Sequence, residues 1–76
     1  MLIRSQDKKK IFEMTGSNIE IGKENQICGF GNTCTPDNIS IMLGQYKTEE
    51  RAIKVLDEIC NYYESNKNGV FQMPEV

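Results

Sequence analysis

Cys28, Cys34 and Cys60, a set of carboxylates and the absence of histidine bound the chemistry this chain can do. A four-ligand zinc site without histidine needs three thiolates plus a carboxylate or water, an uncommon donor set. The odd cysteine count and an opening, MLIRSQ, that does not read as a signal peptide predict free thiols in a reducing cytoplasm. Nothing beside Cys28 or Cys34 lowers a thiol pKa in an identifiable way, and Cys60 reads as a small apolar residue. Hydrolytic triads most often use histidine as the base. Glu20, Glu24, Asp37, Glu49, Glu50, Asp57 and Glu58 fall in turns or on a polar helix face, where carboxylates serve solubility. Gly29-Phe30-Gly31-Asn32 has a G-x-G look, but it lacks the third glycine and the following helix of a dinucleotide fingerprint. The sequence therefore predicts no catalytic residue, no metal site and no cofactor.

Recognition is the better reading. Arg4 and the run Lys8, Lys9 and Lys10 form either a small anion-contact patch or a solvated turn that discourages edge-to-edge strand pairing. Phe30, Asn32 and Tyr46 flank an irregular loop and could contact a partner or ligand; the alternative is that Phe30 and Tyr46 are cross-strand core residues. Ile53 and Tyr62 lie off the main helical stripe and could form a self-association patch, which would help so short a chain. A net charge of −2 and a pI near 5.0 argue against direct nucleic-acid binding, which needs a field of lysine and arginine over the phosphates.

The element that positions these residues is the helix read over Thr48 to Ser65. Thr48 is a good N-cap, and Glu49 and Glu50 place carboxylates at the positive end of the helix dipole. Ala52, Leu56, Ile59 and Tyr63, with Val55 beside them, make an apolar stripe. Glu50, Lys54, Asp57, Glu58, Asn61 and Glu64 face the other way, so this is an amphipathic surface helix and no membrane span. Met1–Ile3 and Ile11–Met14 flank a polar turn as a β-hairpin. Thr15–Asn18 is a cluster of turn formers, and Ile19–Ile21 alternates as a bent continuation of the second strand or a strand in its own right. Ile27–Phe30 is a further strand, in which Gly29 marks a bulge or a close approach to the backbone. The segment 31–38 is a loop, and Ile39, Ile41 and Leu43 alternate as the next strand. Asn66–Gly69 stops the helix with a left-handed asparagine or glycine, and Val70–Met73 is a short strand, at a sheet edge, ended by Pro74.

Seventy-six residues make a single domain that buries about 60–65% of its extended surface. The expected fold is α+β: an antiparallel sheet of four or five short strands packed on one face by the helix, in the order ββββαβ.

MLIRSQDKKKI, LGQYKTEERAIKVLDEI and VFQMPEV together resemble a group of small proteins encoded by phages and prophages of Firmicutes. The resemblance spans most of the chain. It includes a leucine-glycine-x-tyrosine turn at Leu43, Gly44 and Tyr46 and an alanine-x-x-valine-leucine helix at Ala52, Val55 and Leu56. Thr15 to Asn38 departs most, and the cysteines are outside the pattern. The shared positions are turn and core residues, so they imply a common fold and carry no catalytic set. What the resemblance implies is a mobile-element origin. By analogy, the expected function is a non-enzymatic anti-defence protein that binds a host defence protein, as an anti-CRISPR does, and presents its acidic helix face. One alternative is an oligomeric sponge for a cyclic nucleotide immune signal, with Arg4, Lys8, Lys9, Lys10 and Asn32 as donors and Phe30 or Tyr46 stacking on a base. The other is a structural or regulatory phage accessory protein.

Overall fold

The computed structural model describes residues 1–31 and 40–76. Its elements run β1 (Leu2–Arg4), β2 (Ile11–Glu13), β3 (Asn18–Ile21), β4 (Gln26–Phe30), β5 (Ser40–Gln45), α1 (Glu49–Ser65) and β6 (Val70–Gln72). The class is α+β, but the single antiparallel sheet of four or five strands in the order ββββαβ expected from the sequence is replaced by six strands in the order βββββαβ, divided between two three-stranded sheets, β2-β1-β6 and β3-β4-β5. The β1–β2 hairpin forms as read, pairing Ile3 with Phe12 antiparallel. β6 then joins β1 in parallel, Ile3 against Phe71, and lies at the sheet edge. Ile19–Ile21 belongs to a strand of its own in the other sheet. The reason is the Met14–Ser17 turn, closed by Ser17 N donating to Met14 O at 3.0 Å with Gly16 left-handed at φ 71, which redirects the chain after β2.

The inner faces of the two sheets meet where Phe12 lies against Gly29. A Cβ at Gly29 would stand 2.7 Å from the Phe12 ring, so of the two sequence readings of this glycine the close approach holds. The irregularity falls next to it: Ile27 pairs with Gly44 and Cys28 with Met42, which leaves Leu43 as the extra residue, and Leu43 and Gly44 are both buried. One apolar cluster joins Ile3, Phe12 and Phe71 of the first sheet, Ile27 and Leu43 of the second, and Ala52, Val55 and Ile59 of α1.

Thr48 caps α1 as its sequence predicts, its Oγ1 accepting from Arg51 N at 3.1 Å. The buried stripe, however, is rotated from the expected one. Val55 is fully buried and Tyr62 packs edge-to-face on Phe71, with ring centroids 5.6 Å apart, while Leu56 is half-buried and Tyr63 is 39% exposed. The helix end also differs. None of Asn66 (φ −140, ψ 59), Asn68 and Gly69 is left-handed; instead the Asn66 backbone and side-chain nitrogens both donate to Tyr62 O. Gly69 is needed for space, because a Cβ there would meet the Tyr62 hydroxyl at 2.5 Å. No helix among the described residues is long and apolar enough to cross a membrane.

Candidate functional site

Arg4 and the three lysines come together at the β1–β2 turn, which is built from Ser5. Ser5 is 1% exposed; its hydroxyl donates to Asp7 Oδ1 at 2.5 Å and accepts from Lys10 N at 3.0 Å, while its backbone N donates to Lys10 O. The Asp7 carboxylate also accepts from Lys9 N at 2.9 Å, and the Ser5 hydroxyl, followed by that N–H, holds its pKa below the usual carboxylate value. This network fixes Lys8 in left-handed backbone at φ 66. Two of the lysines have acidic partners, Lys8 with Glu75 at 3.8 Å and Lys10 with Asp7 at 3.9 Å, and Arg4 reaches Lys8 O at 3.4 Å. The cations are therefore part of a self-contained corner more than a field awaiting an anion.

The same corner ties the sheets together through Gln6, which nothing in the local sequence marks. Its backbone N donates to Leu43 O at 2.7 Å. Its side-chain amide exchanges bonds with the Gln45 backbone (2.9 and 3.1 Å) and donates to Glu75 O at 2.7 Å. Gln72 Nε2 donates to Ser5 O at 3.0 Å. Tyr46 lies beneath, 5% exposed, its hydroxyl donating to Pro74 O at 2.8 Å and its ring 5.8 Å from the Arg51 guanidinium. Burial pushes its pKa up to about 12. The ring belongs to the core and offers no face for stacking on a ligand.

Phe30 is elsewhere. Strand register places it on the outer face of the second sheet with Asn18 and Ser40, beside the row Glu20, Cys28 and Met42; Phe30 and Cys28 are half-buried and Met42 is 44% exposed. Asn32 and Cys34 lie outside the described residues. Within one chain, then, the basic turn, the Tyr46 ring and Phe30 do not line a common pocket. Among the described residues, no three histidine, cysteine or acidic side chains gather to hold a metal ion.

Ile53 and Tyr62 do not form one patch either. Nine residues of helix place them about 180° apart; Tyr62 packs inward on Phe71 and Ile53 points outward, 46% exposed. The helix neighbours of Ile53 are Leu56, Cys60 and Tyr63, at i+3, i+7 and i+10. This is a second apolar line beside the buried one, at the spacing of a coiled-coil seam. Next to it run Glu50, Asp57 and Glu64, all exposed and seven residues apart, which puts successive carboxylates about 10.5 Å apart along the axis. On its other side the line faces the β2–β3 turn across an apolar cavity of about 220 Å³ lined by Met14, Ile19, Leu56 and Cys60 among others. A second cavity, of about 230 Å³, lies against Met14, Gly16 and Tyr63. The spacing of this seam is legible in the sequence; that it stays uncovered is not.

No family model, curated protein or solved structure matches this chain.

Proposed function

We propose that the protein is a non-enzymatic binding protein that counteracts bacterial immunity by occupying a surface of a host defence protein, with the outward side of α1 as the face it presents. The observation that carries this reading is the concentration of charge. Five carboxylates against two cations give α1 a net charge of −3, more negative than the −2 of the whole chain. The acidic line Glu50, Asp57 and Glu64 runs beside exposed Ile53 and Tyr63, so charge and apolar contact area share one face. Surfaces that grip nucleic-acid phosphate are basic, and an acidic helix with apolar anchors complements them in both steering and contact. The phage and prophage resemblance supplies the biological setting, and an anti-CRISPR activity is the form that fits it.

The test is expression in a bacterial host whose CRISPR–Cas system targets a challenging phage. Plaque formation should be restored by the natural chain and lost with the triple substitution Glu50→Lys, Asp57→Lys, Glu64→Lys, provided the variant's melting temperature is unchanged. Failure of the natural chain to protect phage from any of a panel of defence systems, or undiminished protection by the triple variant, removes this reading.

A further inference from the structure

We infer that the groove between α1 and the β2–β3 turn takes the apolar face of a basic amphipathic helix belonging to the partner. This rests on the reading of α1 as the binding face and specifies what that face receives. The floor is apolar: Met14 is common to both cavities, Ile19 and Leu56 line one of them, and Tyr63 lines the other. From Leu56 to Tyr63 the groove follows about two turns of α1, roughly 10 Å, enough for anchors one heptad apart on a facing helix.

The rim decides the chemistry of the occupant. Asp57 and Glu64 stand exposed along the helix side, and Glu13 stands at the start of the β2–β3 turn, where it accepts from Thr15 N at 3.1 Å. That N–H holds the Glu13 pKa below its usual value, so the carboxylate is charged at neutral pH. Among the described residues no lysine or arginine lines either cavity. Met1 does line the second one, and its ammonium stands 3.8 Å from Glu13 Oε1, so Glu13 is already paired and the unpaired negative charge of the rim is that of Asp57 and Glu64. A helix lying in the groove would therefore have the Asp57 and Glu64 carboxylates along its α1 flank and the Glu13–Met1 ion pair on the other, which calls for lysine or arginine on its α1 side beside its apolar anchors. A second copy of this chain is disfavoured by the same charges, since it would bring another Glu50, Asp57 and Glu64 line against the first.

The experiment titrates the isotope-labelled full chain, followed by amide NMR, with a designed peptide of about 14 residues carrying leucines at heptad positions a and d and lysines at e and g. A scrambled peptide of the same composition is the control. The expected result is shifts centred on Met14, Ile19, Leu56, Cys60 and Tyr63. The dissociation constant should rise about tenfold or more for the scrambled peptide, and again for the Asp57→Lys, Glu64→Lys variant. Absence of shifts overturns the inference, and so does equal binding of the scrambled peptide, which would mean charge attraction alone. Peptide-free dimerisation in sedimentation, with the same amides shifting as concentration rises, would make the occupant a second copy and overturn it too. Peptide binding without phage protection removes only the anti-defence reading; protection without peptide binding removes only the groove.

Discussion

The corner around Ser5 and the outer margin of α1 differ in a way that inverts their appearance in sequence. The corner is rich in the residues usually read as functional, an arginine, three lysines and a tyrosine, yet those polar groups are largely engaged within the chain. Ser5 closes the turn, Asp7 accepts from it, and Gln6, Gln72 and Tyr46 hold the carbonyls of Gln45, Glu75, Ser5 and Pro74. The margin is made of Ile53, Leu56, Cys60 and Tyr63, which read as a core stripe and its borders, yet the last three line cavities that none of the described residues fills. A polar group gains most when a fixed partner replaces water, so a dense polar cluster can be architecture. An apolar group at helical spacing is core only if something covers it.

Substitution of the two tyrosines separates the regions most sharply. Tyr46→Ala removes a buried ring and its bond to Pro74 O and should cost about 3–5 kcal/mol. For a chain of this length that is comparable with the whole stability, so chemical denaturation should find it largely unfolded. A midpoint close to that of the natural chain would show that the corner is not structural. Next in size is Ser5→Ala, which leaves Lys10 N without its side-chain acceptor and Asp7 without its closest donor; an expected loss of about 1–3 kcal/mol is measurable in the same way.

High pH probes the corner without mutation. Tyr46 holds its proton to about 12, above the ordinary tyrosine value of 10.0, because burial disfavours the phenolate; its hydroxyl also donates to Pro74 O. The unfolded chain releases that proton first. The stability associated with Tyr46 is therefore fully present below pH 10 and declines as pH rises from about 10 through about 12. One of the three tyrosines should ionise late, together with unfolding, in a tyrosinate absorbance titration. Tyr46→Phe should abolish that late step. Smallest of all is Tyr63→Ala, expected to change stability by only about 0.5 kcal/mol, as at an ordinary surface position. A loss of several kcal/mol in thermal melts would mean that the margin is core after all and that the contrast fails.

Much of the local structure is legible in the sequence. Thr48 with Glu49 and Glu50 announces the start of α1, alternation locates β3 and β5, and a glycine inside a strand pattern points to a bulge or a close approach, the latter being the contact that Phe12 makes with Gly29. These are properties of short stretches, in which capping, dihedral preference and side-chain period act within a few residues. The candidate site was legible only in part. The acidic side of α1 is visible in its charges, whereas Arg4, the lysines, Phe30 and Tyr46 are not brought together within one chain, because register and burial separate them.

The sequence by itself determined where the chain turns, where the helix begins and ends, and that the helix has two unlike sides. Only the tertiary structure decided that the strands divide into two sheets, because the parallel pairing of β6 with β1 joins residues nearly the whole chain apart and no local period encodes it. It also decided which of two overlapping apolar lines on α1 is covered. Val55 and Tyr62 are turned toward the core, and Leu56, Cys60 and Tyr63 are left at a groove. On a helix those lines differ by a fraction of a turn, and what selects between them is the shape of the surface they meet.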